Sequence, residues 1–264
     1  MSSDVAMRPA RREDAPAIVE LFHAGFSPSL VDATIYGCPG VARYVAQQIG
    51  VAGGRSDTVF TVAETDGRLA ACVELRRRAS DVFLNYIAVA GEARGRGVGT
   101  AVLRAAIEGW SVGGRCTFSL DVFEENSSAA SWYERLGLRD VQRSSLWNVP
   151  LRGDEGTAEG WTVSGWPQAE ASQREFGFSA FDAVGPDARY TVGRLGSRWF
   201  RLTEATALGR DGLRALLREL DPGRRVLAIA TGGDDAVATI AGAALLVRSR
   251  RMSAELGTVL ERLG

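Results

Sequence analysis

The sequence predicts a mixed α/β (α+β) fold, with a central β-sheet flanked by helices over residues 1–152 and a second, smaller α/β half over residues 160–264. Three observations predict it. Strand-like and helix-like apolar periods alternate from Thr58 to Val149. The opening strands are joined by Asp66-Gly67, the dipeptide that most strongly marks a hairpin, so the sheet must hold both antiparallel and parallel neighbours. The length, 264 residues, is long for one compact core and comfortable for two.

Taken in order, Asp4 to Arg8 reads as a short first strand. Asp14 is placed to cap a helix that begins at Ala15-Pro16, proline being suited to a first turn. Gly25 to Gly40, punctuated by Gly, Pro and Ser, predicts a loop, and Val41 to Ile49 resumes helical spacing. Thr58–Glu64 and Leu69–Arg76 are the hairpin strands, and Phe83–Val89 is a third. Beyond a glycine-rich stretch at Arg94–Gly99 come a helix (Thr100–Trp110), a strand (Thr117–Phe123), a helix (Ser127–Leu136) and a strand (Arg139–Val149).

Arg152–Gly160 turns polar and glycine-rich, the composition of a linker. After it, Glu175–Phe181, Tyr190–Arg194 and Arg198–Leu202 read as strands, Arg210–Leu220 as a helix, Arg225–Ala230 as a strand, Asp235–Ala241 as a short helix and Ala244–Ser253 as a last strand. Gly242 precedes that strand much as Gly137 precedes Arg139–Val149, and Arg248-Ser249 stands as far from its glycine as Arg143-Ser144 does. Such spacing points weakly to a duplication, because any strand-helix-strand chain imitates it in part.

Composition removes several classes of function. Hydrophobic residues at 45% and charged residues at 24% match soluble globular domains and argue against disorder or a fibrous repeat. No apolar run reaches a membrane span, and Met1–Arg12 lacks the apolar core of a signal peptide, so a cytoplasmic location is expected. A formal charge of -1 gives no reason to expect nucleic acid or membrane as partner. Cys38, Cys72 and Cys116 are too widely spaced for a disulfide framework or a metal knuckle and read as small buried hydrophobes. His23 is the only histidine, which removes most His-dependent schemes and most zinc sites, so no metal is expected. It reads as a helix-surface residue.

The stretch Tyr86 to Thr100 carries the chemistry. A strand ends, and a glycine-rich loop opens a helix whose first N–H groups lack intrahelical partners. Those amides and the helix dipole form an anion site; Gly95, Gly97 and Gly99 admit a pyrophosphate close to the backbone, and Arg94 and Arg96 add charge-assisted bonds. This is no nucleotide P-loop, because no Gly-Lys-Ser/Thr follows and the chain has no lysine. A dinucleotide fingerprint would open a domain, whereas this loop follows several elements.

With Ile87-Ala88-Val89 before it, Arg94-x-x-Gly97-x-Gly99 resembles the pyrophosphate loop of the GNAT superfamily of N-acetyltransferases. A second match lies downstream, where Leu120-Asp121-Val122 is followed by Asn126, Ala129, Tyr133-Glu134 and Gly137-Leu138. The two together cover Phe83 to Val149. The resemblance implies a GNAT-like sheet, acetyl-coenzyme A as cosubstrate, and direct transfer of an acetyl or short acyl group to a primary amine of a small molecule or peptide. It implies that two central parallel strands splay to admit the pantetheine arm along Asn85–Val89, with the main chain around Ile87, Ala88 and Val89 binding the cofactor and polarising its thioester. The loop from Arg94 through Gly95, Arg96, Gly97, Val98 and Gly99 to Thr100 would hold the diphosphate.

By the same resemblance Tyr133 protonates or hydrogen-bonds the departing thiolate, and Asn126 steadies the cofactor arm or a site water. A core aromatic and a helix cap are the alternatives for these two. Trp132 reads as packing. For deprotonating the amine, Glu74, Asp121 and a water relay stand side by side, while Glu124 and Glu125 read as a solvated strand end. Phe26 and Tyr36 suggest an apolar wall for the acceptor. The second half lacks both the arginine-glycine loop and a counterpart of Tyr133, as a degenerate repeat would. A non-catalytic acyl-coenzyme A sensor or assembly module is the competing reading, and a monomer or homodimer is expected.

Overall fold

The structure, a computed structural model, describes residues 5–51, 55–78, 80–109, 116–152, 156–232 and 235–264. Asp4, Trp110 and the middle of the expected linker, residues 153–155, lie outside them. The first half runs β1 (Ala6–Pro9), α1 (Ala15–Gly25), α2 (Pro28–Val31), α3 (Val41–Ile49), β2 (Thr58–Thr65), β3 (Arg68–Arg78), β4 (Asp81–Val89), α4 (Val98–Glu108), β5 (Thr117–Phe123), α5 (Ser127–Arg135) and β6 (Arg139–Val149). The second runs β7 (Thr162–Ser164), α6 (Trp166–Phe176), β8 (Phe178–Val184), β9 (Arg189–Leu195), β10 (Trp199–Leu202), α7 (Asp211–Leu220), β11 (Arg225–Thr231), α8 (Asp235–Ala238), β12 (Ala244–Glu255) and α9 (Leu256–Leu263).

These elements form two compact units. Unit 1 gathers Met1–Ser27, Ala42–Val141 and Arg250–Gly264, and unit 2 gathers Pro28–Val41 and Gln142–Ser249. A plain cut at 152–160 therefore does not describe them. In unit 1 the strands lie in the order β1-β2-β3-β4-β5, followed by the end of β12. In unit 2 the order is β7-β8-β9-β10-β11, followed by β6. The directions match as well: antiparallel up to the fourth strand, then parallel from fourth to fifth. Each unit thus holds five strands of its own half and closes with the last strand of the other, which makes the chain a tandem repeat. Ser144 and Ser249, matched by their distance from a glycine, meet inside unit 2 with hydroxyls 2.9 Å apart.

The core of unit 1 is built on α4. Val98, Val102, Leu103, Ala106 and Ile107 recur at helical spacing and bury against Ala71, Val73 and Leu75 of β3, Leu84 of β4 and Phe118, Leu120 and Val122 of β5. Residues alternate along a strand, so Cys72, Glu74 and Arg76 point to the opposite face, on which α1 packs. The hairpin turn takes the left-handed conformation the sequence implies, with φ of 50° at Asp66 and 74° at Gly67. A β-carbon on Gly67 meets nothing within 4 Å. Gly67→Ala should therefore cost only the backbone term, about 1 kcal/mol, read as a lower urea midpoint. An unchanged midpoint would show that this turn does not hold the β2–β3 register.

Several expectations need correction. Asp14 does not cap α1; its carboxylate accepts from the Arg8 guanidinium at 2.6 and 3.0 Å and from the Arg11 N–H at 2.7 Å, closing a short 3-10 turn. Gly25–Gly40 is not a plain loop, because it holds α2 and a 3-10 turn at Ile35–Gly37 capped by the Thr34 hydroxyl. Glu175 and Phe176 end a helix and do not begin a strand; Gly177, at φ 79°, terminates α6 before β8 starts. The phosphate-loop helix begins at Val98, two residues earlier than expected. Helix α9 was not anticipated.

Candidate functional site

The central feature of unit 1 is a gap between two parallel strands. β4 and β5 pair from Asp81 opposite Thr117 to Leu84 opposite Leu120, and no further, although β4 continues to Val89 and β5 to Phe123. On its other side β4 pairs with β3, Glu74 opposite Tyr86 and Leu75 opposite Leu84, so Asn85 is the extra residue of a bulge. The Ala90 N–H donates to the Ala70 carbonyl at 2.8 Å. By alternation Ala88 also faces β3, while the amides of Ile87 and Val89 face the gap. A bulge and an unpaired strand edge coincide at the residues expected to bind pantetheine.

The loop after β4 is open. Arg94, Gly95, Arg96 and Gly97 are exposed, and Val98 anchors the loop in the core. Gly95 and Gly97 adopt φ of 72° and 78°, which a side chain resists, and a β-carbon at either meets nothing within 4 Å. Gly97 is the N-cap of α4, and the Ala101 N–H donates to its carbonyl at 3.0 Å. The N–H groups of Val98, Gly99 and Thr100 thus come before the first helical bond, as an anion site requires. Gly99 lies close to β4, its β-carbon position 3.3 Å from the Val89 side chain. Arg94 is partly committed: its Nε donates to the Val89 carbonyl at 3.0 Å. Open amides, glycine cradle and two arginines fit a diphosphate.

Tyr133 lies on α5 in the same core cluster as Val98 and Leu120 and is 6% exposed. Its hydroxyl has no hydrogen-bond partner among the described residues, and burial alone pushes the phenol well above its ordinary pKa. Trp132 packs beside it, ring centres 5.0 Å apart. Asn126 takes the capping role, its Oδ1 accepting from the Ala129 N–H at 3.2 Å.

The two candidate bases lie on the face opposite that core. Glu74 is 2% exposed and accepts from Asn85 Nδ2 at 2.8 Å and Arg76 Nε at 2.9 Å. Desolvation opposes the charge on Arg76, yet the Coulomb attraction and hydrogen bond of Glu74 hold its pKa above the usual value, with Tyr86 and Tyr44 adding attraction. Asp121 is clasped by Arg251 through bonds of 2.9 and 2.8 Å. The side-chain contacts of Asn85, Arg76 and Tyr86 around Glu74 were missed by sequence reasoning, which placed Asn85 and Tyr86 only as backbone of the strand. The available signal was a polar Asn85 inside the apolar run from Val82 to Val89.

Phe22 and Phe26 of the α1 region pack against Tyr86, the first tilted and the second edge-on, with centroids 5.5 and 5.4 Å away. Phe26 is therefore part of an apolar wall in unit 1, while Tyr36 is buried and belongs to unit 2. Glu124 and Glu125 are exposed, and so is His23 on α1. All three cysteines are buried and free. Among the described residues no three metal-ligating side chains come together, and no helix is long and apolar enough to cross a membrane.

Unit 2 repeats the strands without the gap. β10 pairs with β11 over its whole length, from Trp199 opposite Arg225 to Leu202 opposite Ala228. The start of α7 is covered, because a β-carbon on Gly212 would run into Trp161 Nε1. An arm cannot enter where the strands stay paired.

Residues 35–138 match the model of the acetyltransferase (GNAT) family. No curated protein matches the sequence significantly. Among solved structures the fold is similar to a tandem GNAT protein from the clavulanic acid biosynthesis pathway, with TM-score 0.68, 17% identity and coverage of 96% of this chain and 98% of that one. It is also similar to a GCN5-related N-acetyltransferase from Sphaerobacter thermophilus, with TM-score 0.60, 18% identity and coverage of 95% of each chain. A putative acetyltransferase from Pyrococcus horikoshii aligns with TM-score 0.64 and 16% identity over 95% of this chain and 89% of that one.

Proposed function

We propose, for a chain whose residues 35–138 match the acetyltransferase (GNAT) family, that unit 1 moves an acetyl or short acyl group directly onto a primary amine bound in the same ternary complex. The observation that carries this reading is the gap opened where β4 and β5 stop pairing at Leu84 and Leu120, beside the bulge at Asn85. Acetyl-coenzyme A supplies the thioester. The amides of Ile87 and Val89 hold its arm and polarise the carbonyl; the amides at the start of α4, with Arg94 and Arg96, hold its diphosphate. Residues 160–264 act as a degenerate repeat without a cofactor site of its own, for which the paired β10 and β11 and the ring of Trp161 are the support.

The proton steps fall to opposite faces of the sheet. Tyr133 gives its proton to the departing sulfur from the core side. Glu74, hydrogen-bonded to the bulge residue itself, takes the proton of the amine through water, since its carboxylate is only 2% exposed. Asp121 instead holds Arg251 and acts in architecture. Glu74→Gln keeps the shape and its bonding to Arg76 and Asn85 but removes the base, so kcat/KM should fall about 100-fold. Equal activity would return the step to solvent.

The test of the whole reading is release of free thiol from acetyl-coenzyme A across an amine library, with mass spectrometry of the product. Thiol release with formation of an amide is expected. Binding of acetyl-coenzyme A with no release for any amine would replace the enzyme with a sensor.

A further inference from the structure

The face of unit 1 that carries Glu74 also carries a row of guanidinium groups that the transfer mechanism does not use. Arg76 and Arg78 lie two residues apart on β3, about 7 Å along the strand, and both follow the bulge. Arg76 spends its Nε on Glu74, and no protein acceptor among the described residues meets its terminal nitrogens, although its side chain is 38% exposed. Arg78 makes no hydrogen bond or ion pair among them; the central carbon of its guanidinium lies over Phe83, 3.7 Å from the ring centre. Arg251 approaches the same ring at 5.4 Å.

Formal charges on this face balance, but their pairing does not. Glu74 is buried and bonded to Arg76 and Asn85; Asp121 is clasped by Arg251; Asp81 accepts from the hydroxyls of Thr117 at 2.9 Å and Ser119 at 2.5 Å. The carboxylate oxygens are thus taken up within the protein, while the donors of Arg76 and Arg78 are left over. Burial pulls the Arg78 guanidinium below its ordinary pKa and repulsion from Arg251 adds to this, against opposing attraction from Asp81 and Asp121. An anion placed there would relieve that repulsion. The contact with Phe83 restrains the guanidinium, so less freedom is lost when an oxyanion docks.

We infer that the acyl acceptor is an amine bearing a carboxylate or a phosphate, held by Arg76 and Arg78 so that its amino group reaches the bulge at Asn85. The inference rests on the transfer reading for its amine and on these two arginines for its anion. Neutral amines would leave the donors unfilled and be used less well.

The experiment offers acetyl-coenzyme A with matched sets of amines, each as the free acid, the phosphate ester and the neutral primary amide, and follows thiol release. One anionic member should exceed its amide in kcat/KM by about tenfold or more, and which one leads identifies the group. In Arg78→Gln, and separately in Arg76→Gln, that ratio should fall toward one, with the melting temperature and the affinity for acetyl-coenzyme A as controls of folding. Amides equal to or better than both anionic members in every set, or a ratio that survives both substitutions, would overturn the inference. If no amine releases thiol, the transfer reading fails separately. Calorimetric titration of coenzyme A-saturated protein with the acid, the phosphate ester and the amide then decides the anion site: tighter binding of an anionic member supports it, and equal or absent binding ends it.

Discussion

Gly97→Glu should weaken binding of acetyl-coenzyme A by about 100-fold or more, measured by isothermal titration, without unfolding unit 1. Gly97 is exposed at φ 78°, and a β-carbon there meets nothing within 4 Å. The new side chain does not jam against protein. What it brings is a left-handed backbone cost of about 1 kcal/mol and a carboxylate set where the proposed reading puts a diphosphate, against the amides of Val98, Gly99 and Thr100. Gly97→Ala separates the two, because it carries the backbone cost without the charge and should lose far less affinity. Arg94→Glu should act in the same direction, with an added effect at the strand end, since Arg94 also holds the Val89 carbonyl. Unchanged affinity in both glutamate variants would remove the diphosphate from this loop.

The elements that sequence made legible are those whose information is local. β2, β3 and β5 follow from period-two patterns and the Asp66-Gly67 turn, and α4 from its buried stripe. Helix α6 was obscured because only Ala169 in it is fully buried, so the helical period is faint. Its signals were punctuation: Pro167 in the first turn and Gly177 at the end. Helix α9 buries Leu256, Val259 and Leu263 at helical spacing, but it follows β12 with no break residue between them. The placement of β6 and β12 in the other half's unit has no local signature at all, since any strand edge of suitable length can accept either.

The site divides in the same way. Gly95 and Gly97 advertise positive φ, and arginines beside them advertise an anion, so the loop could be read from six residues. The gap between β4 and β5 is a place where pairing stops, which an apolar run cannot express; Asn85 was its one trace. Neither carboxylate could be assigned from sequence, because its role depends on partners 11 residues away for Glu74 and 130 away for Asp121.

Tyr133→Phe should leave acetyl-coenzyme A binding intact and lower kcat by about 100-fold. The hydroxyl has no protein partner among the described residues, so its removal orphans no other group, and the ring keeps its place beside Trp132 and Leu120. A loss confined to kcat therefore reports proton delivery and not folding. The pH dependence sharpens the test. Burial raises the phenol above its reference value near 10, and a group that acts as an acid then keeps its proton to higher pH. Wild-type kcat should accordingly show no alkaline loss from this group up to about pH 10. Stability carries the matching sign: the contribution of the neutral buried phenol is complete below the unfolded value, and it is lost as pH rises through the higher folded one. Wild type should lose melting temperature above about pH 10 more steeply than Tyr133→Phe. Equal turnover in the two proteins would leave Tyr133 as a core aromatic and move protonation of the sulfur to solvent.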